Sequence, residues 1–224
     1  MTIGIVINIP DAVILMADGR ITTPLNGGSI IDDDVDKIAI INNESAVIEF
    51  GVCQVTERAI EQLRGLSSNT LDINKHVQSI VESLDVGWGW LTRNLSNDVD
   101  RSHPAMRAAL VAGGFAGPIS ISTGVLRSFG TNQEPLVITA FYGHIVLGGE
   151  VQGAQDYFAT KIRNVVRDFG SITDGYNHLV CQKVLDAMGK TILASSVGDS
   201  TIGGTIRYVI LRQGFLPTKD IWCE

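Results

Sequence analysis

Residues 12–17 read Ala-Val-Ile-Leu-Met-Ala, six apolar side chains with no polar interruption. A run that short suits a strand covered on both faces, because successive strand side chains point to opposite sides. The preceding stretch, Thr2 to Ile9, alternates strictly: Ile3, Ile5, Ile7 and Ile9 point one way, and Thr2, Gly4, Val6 and Asn8 the other. Pro10-Asp11 supplies a tight turn between the two. A chain that opens this way must provide apolar cover on both sides of its first sheet.

Two further strands follow a polar loop from Thr22 to Ser29: Lys37 to Ile41 and Ala46 to Phe50, joined by Asn42-Asn43-Glu44-Ser45. Helical spacing then takes over at Val55–Leu66 and Ile73–Leu84. Asp85 to Arg107 has no clear period. There Trp88 and Trp90 are spaced for one strand face or an interface. Gly-punctuated apolar segments return from Ala108 to Gly149, clearest at Leu136–Phe141 and His144–Leu147. Helices are expected around Ala154–Arg167 and Asp174–Leu193, and a last strand at Thr205–Arg212. Strands and helix pairs alternate in blocks, so two antiparallel sheets, each covered outside by a helix pair, would bury both strand faces. The expected class is α+β.

With 224 residues and 45% hydrophobic side chains, one domain over residues 1–224 is expected, burying about 70% of the unfolded chain's surface. A net charge of -7 and the lack of a basic patch argue against nucleic acid as a partner. The longest uncharged run, Ala108–Leu126, holds four glycines and a proline, so no membrane association is expected. No basic segment leads into an apolar stretch at the N-terminus, and three cysteines form no even framework. Both features point to a cytoplasmic protein.

The N-terminal half resembles the proteasome β-type family of N-terminal nucleophile hydrolases. The residues that carry the resemblance are Thr2 at the start of the first strand, Asp18 and Arg20 after the second, Lys37 at the start of the third and Gly51 after the fourth. Gly198-Asp199-Ser-Thr-Ile-Gly203-Gly204 is similar to the family's late Asp-x-x-Ser-Gly-Gly turn. Residues 67–135 match by element type only. The resemblance implies a four-layer αββα sandwich and a threonine peptidase working through an acyl-ester on Thr2. Removal of Met1 would give Thr2 a free α-amine with a pKa of about 7.7–8.0, fit to act as base to its own hydroxyl. A retained Met1 would consume that amine. By resemblance, Lys37 sits beside the hydroxyl, Asp18 pairs with Lys37, Arg20 supports the frame, the Gly51 N–H serves the oxyanion and Asp199 holds the N-terminus from the far side.

Two positions depart from the family pattern. Gly149 stands where a serine follows the later hairpin, and Ile202 where a serine precedes Gly-Gly; Ser200, Thr201 or a bridging water could compensate. The resemblance also implies a substrate pocket of Ile21, Val35, Ala39, Glu49, Cys53 and Glu57. A carboxylate from Glu49 at its base would favour a basic side chain before the cleaved bond, against the alternative that Glu49 faces solvent or a neighbouring subunit. Implied partners are a peptide or unfolded protein substrate and further copies of the chain in a ring or helical stack. Some members also need an ATP-driven unfoldase. No cofactor or metal is expected: the four histidines lack ligand spacing, and Asp32-Asp33-Asp34 with Asp36 reads as a solvated loop. Two rival readings are a catalytically inactive ring subunit of the same fold and an N-terminal nucleophile amidase acting on a small amide.

Overall fold

The computed structural model describes residues 3–9, 11–25, 28–66, 73–94, 106–128, 135–141, 144–148, 153–169 and 177–224. In chain order the elements are β1 (Ile3–Ile9), β2 (Ala12–Ala17), β3 (Ile21–Leu25), β4 (Gly28–Asp32), β5 (Ile38–Asn42), β6 (Ser45–Gly51), α1 (Cys53–Leu66) and α2 (Ile73–Asn94). They continue as β7 (Arg107–Ala116), β8 (Ile119–Ser128), β9 (Leu136–Phe141), β10 (His144–Gly148), α3 (Ala154–Phe169), α4 (His178–Gly198), β11 (Arg207–Arg212) and β12 (Thr218–Ile221). The fold is mixed α/β, with four helices and three sheets among the described residues.

One sheet runs β10-β1-β2-β11-β12 and a second runs β5-β6-β7-β8-β9, each antiparallel throughout. The period-2 pattern decides what each face meets. Ile3, Ile5, Ile7 and Ile9 of β1, with Ala12, Ile14 and Met16 of β2, join Phe158 and Ile162 of α3 and Val184, Met188 and Ile192 of α4. The opposite parity, Val6, Val13, Leu15 and Ala17, meets Ile48, Val111 and Phe115 of the second sheet. That sheet's other face, with Val47, Leu110 and Ala112, packs on Val55, Ala59 and Leu63 of α1 and on Ile80, Leu84 and Trp88 of α2. The apolar run of β2 is buried at every position, as its lack of polar residues requires.

Several expectations are corrected. The polar stretch 22–29 contributes to a hairpin, β3–β4, which forms a third, two-stranded sheet. Leu25 pairs with Gly28, so only Asn26 and Gly27, outside the described residues, intervene. That dipeptide is a strong two-residue hairpin signal. The unassigned stretch after Leu84 continues α2 as far as Asn94. Trp88 is therefore a buried helix residue, not part of a strand face, and Trp90 lies under the Arg58 guanidinium, 5.0 Å from the ring centre. Gly87 hides this helix from sequence reading. It is there for close approach: a Cβ would lie 2.3 Å from the Val55 carbonyl oxygen of α1. Strand β12 is exposed throughout and carries no apolar period to read. Helix α4 starts at His178, where Asn177 accepts from the Leu179 and Val180 N–H groups, and runs on to Gly198; the expected start at Asp174 lies outside the described residues. No helix among the described residues is long and apolar enough to cross a membrane.

Phe158 is among the largest fully buried side chains. Phe158→Ala is expected to cost about 3–5 kcal/mol in urea unfolding. Val197→Ala, at a site 90% exposed, should stay within about 0.5 kcal/mol.

Candidate active site

The start of β1, the turn after β2, the segment before β5 and the turn after α4 meet at one carboxylate. Asp18 is 1% exposed. Its Oδ1 accepts from the Ile3 N–H at 3.0 Å and from Lys37 Nζ at 3.1 Å; its Oδ2 accepts from the Gly203 N–H at 3.1 Å and the Arg20 N–H at 3.4 Å. Lys37, 3% exposed, also donates to the Arg20 carbonyl at 2.5 Å. Burial pushes the Asp18 carboxyl up and the Lys37 ammonium down, and their mutual attraction opposes both shifts. A buried pair of this kind holds only with its remaining hydrogen bonds satisfied.

Arg20 frames the site. Its guanidinium grips Asp33 through both carboxylate oxygens, at 2.5 and 3.0 Å, and donates to the Ser200 carbonyl at 2.8 Å. The acidic run is thus more than a solvated loop, since Asp34 pairs with Arg207 and Asp36 with Lys219. Asp199 follows α4 and accepts from the N–H and hydroxyl of Thr201, at 2.8 and 2.5 Å. Ile202, where the resemblance led one to expect a serine, is wholly buried among the β1, β2 and α4 side chains. Of the compensating hydroxyls, Thr201 is the one bonded to Asp199. Gly149 and Thr2 lie outside the described residues.

Gly51 closes β6 with φ +86°, and a Cβ there would lie 2.0 Å from the Arg107 carbonyl oxygen. Only glycine serves at this position. Glu49, two residues earlier, accepts from Thr56 Oγ1 at 2.6 Å, while its N–H donates to the Lys37 carbonyl at 3.0 Å. Burial pushes the Glu49 carboxyl up. It does the same to the Cys53 thiol, with Glu49 and Glu57 adding to the effect. Ala39, half-buried, packs against the apolar cluster that α1 and α2 form with this sheet. Ile21 opens β3, and Val35 lies in the segment before β5, its N–H donating to the Gly19 carbonyl at 2.9 Å. Sequence reading missed Thr56, while Thr201 was one of the two hydroxyls it offered. A hydroxyl at 56, inside the apolar stripe of α1, is the kind of signal that could have found it. Among the described residues no three His, Cys, Asp or Glu side chains are grouped to hold a metal ion.

Among the solved structures that match are two of Anbu. The helical assembly of the Anbu complex from Pseudomonas aeruginosa aligns with a TM-score of 0.66 at 12% identity, covering 99% of this chain and 87% of that one. The Gly-1 mutant of Anbu from Hyphomicrobium sp. strain MC1 aligns with a TM-score of 0.61 at 10% identity, again over 99% and 87%. No protein-family model and no curated protein matches the sequence. The fold is Anbu-like. This corrects the resemblance to proteasome β-type subunits, because Anbu is a distinct proteasome-like family. Of the residues on which that resemblance rested, Asp18, Arg20 and Lys37 meet locally, and residues 67–135 added nothing specific to it.

Two measurements check this geometry. Ile202→Ser would bury a hydroxyl in an apolar cluster and is expected to cost about 2–5 kcal/mol in urea unfolding. The raised Glu49 carboxyl means the folded chain binds this proton more tightly than the unfolded one. Its contribution is fully present below the ordinary 4.5 and is lost as pH rises through the higher folded value. Glu49→Gln should therefore gain stability relative to the wild type as the pH is raised from about 4 to about 8.

Proposed function

We propose that this chain is an Anbu-like hydrolase of the N-terminal nucleophile class, folded as one domain over residues 1–224 in a four-layer αββα arrangement. The observation that carries the reading is the shared Asp18 oxygen, which accepts both from the amide that follows Thr2 and from the Lys37 ammonium. Two donors on one oxygen lie within two hydrogen-bond lengths of each other, and this closeness of the Ile3 amide and the lysine supports the reading.

In this mechanism Met1 is removed and the Thr2 hydroxyl attacks a peptide carbonyl carbon while the α-amine takes its proton. Lys37 favours the neutral amine by its charge, and its lowered affinity for its own proton suits it to proton movement. The Gly51 N–H donates to the oxyanion. The tetrahedral intermediate expels the amine half of the peptide, leaving an acyl-ester on Thr2 that water then hydrolyses. Asp18 holds the lysine, Arg20 the surrounding loops, and Asp199, through Thr201, the turn behind the chain start. Ile21, Val35, Ala39, Cys53 and Glu57 line the side-chain pocket. Glu49 at its base favours a Lys or Arg side chain before the cleaved bond, supported by its burial beside Glu57. Assembly into a homo-oligomeric stack is proposed on the likeness to a helical Anbu assembly, and an ATP-driven unfoldase would supply unfolded substrate.

Burial of Ile202 in the core favours a second reading, a non-catalytic structural subunit of the same fold. Intact mass after treatment with an acylating β-lactone separates the two. The hydrolase reading expects loss of Met1 and one adduct, absent in Thr2→Ala and formed at least about 100-fold more slowly in Lys37→Met. A retained Met1 with no adduct overturns it. Among fluorogenic peptides ending in Arg, Leu or Glu, the Arg peptide should be cleaved fastest; preference for Glu would refute the role of Glu49.

A further inference from the structure

Lys37 reaches Asp18 only if its own backbone is fixed. On one side the Lys37 carbonyl accepts from the Glu49 N–H at 3.0 Å. On the other, a closed ring of polar contacts surrounds it. One Asp36 carboxylate oxygen accepts from the Ile38 N–H at 3.2 Å and the other from Lys219 Nζ at 2.5 Å. The same Nζ donates to the Ile38 carbonyl at 2.6 Å. One ammonium thus grips the residues immediately before and after Lys37.

The fold aims Lys219 at this point. It lies on β12 directly opposite Val209, whose side chain belongs to the inter-sheet cluster. Opposite residues of an antiparallel pair share a face, so Lys219 projects past the sheet edge toward β5. The hairpin itself is seated by the Trp222 N–H on the Ile206 carbonyl at 2.9 Å, and by the Trp222 ring on Gly189 of α4, where a Cβ would lie 2.3 Å from the indole. The side chains of Lys219 and Asp36 are 30% and 46% exposed, and a pair that exposed adds little to global stability. A contact of small energetic weight at this place is suited to positioning.

We propose that Lys219 is a positioning residue for Lys37, so that the C-terminal hairpin sets where the ammonium bound to Asp18 stands. The inference rests on the hydrolase reading and adds to it a residue from the far end of the chain. Lys219 touches no reacting atom and acts through Asp36 and Ile38.

The test compares the full-length wild type with Lys219→Met, Lys219→Arg and, as a control, Lys190→Met, which breaks a surface pair within α4. The rate of β-lactone adduct formation on Thr2, kcat and KM on the fluorogenic Arg peptide, and the urea midpoint are measured on each. A small misplacement of a catalytic group is costly. Lys219→Met is therefore expected to label about 10-fold more slowly, with kcat reduced about 10-fold, KM unchanged and the midpoint near wild type. Lys219→Arg, which can also donate to both oxygens, should recover most of the rate, and Lys190→Met should match the wild type. Should Lys219→Met fail to fold, Asp36→Asn is expected to show the same kcat loss. A wild-type labelling rate in Lys219→Met overturns the inference and leaves the hydrolase reading intact. So does a rate that falls only in step with the urea midpoint and is not recovered by arginine. Absence of any adduct on the wild type defeats the hydrolase reading, and the inference falls with it.

Discussion

A carboxylate removed from water is tolerated only where donors replace the lost hydration. Asp18 finds them on three segments far apart in the chain, the Ile3 amide, the Lys37 ammonium and the Gly203 amide, and on the neighbouring Arg20 amide. None of these segments can move away without leaving a buried charge short of partners. The requirement registers the first strand, the segment leading into β5 and the turn after α4 against one another, and everything else around the site is built on that register.

Arg20 and the acidic run extend the arrangement to the surface. The backbone of Arg20 receives the lysine, while its guanidinium spans Asp33 and the Ser200 carbonyl. Arg207 and Lys219 then take Asp34 and Asp36. The run 32–36 is accordingly a strap with a cation at three of its carboxylates, lying beside the buried Asp18–Lys37 pair. Ile202 shows the converse. At the position where a hydroxyl was expected the chain has put an apolar side chain into its core, and the hydroxyl bonded to Asp199 comes from Thr201, one residue earlier.

The legible parts were those where burial imposes a period. The parity of β1 and β2 divides their side chains between two clusters as the alternation requires. Asp18, Lys37 and Arg20 were named through the family resemblance, and Lys37 donates to the other two. Elements without a burial pattern were lost: β12 is exposed, the strands of the β3–β4 hairpin carry polar and proline residues, and the glycines and tryptophans of α2 disguised a helix whose Gly87 answers to a neighbour, not to its own conformation. The local constellation also led to the wrong family, because a few residues around one carboxylate do not report on the rest of the chain.

The amino-acid sequence by itself determined the apolar periods, hence which faces had to be covered, and it supplied a threonine, an aspartate, a lysine and a glycine in a telling order. Only the tertiary structure decided that Ile202 is core, that Thr56 holds Glu49, and that Lys219 brackets Lys37 from a distance of 182 positions along the chain. The physical reason is the range of the forces involved. Periodicity is a property of neighbouring residues, whereas a hydrogen bond between a surface ammonium and a carbonyl near the other terminus exists only once two sheets have been brought face to face.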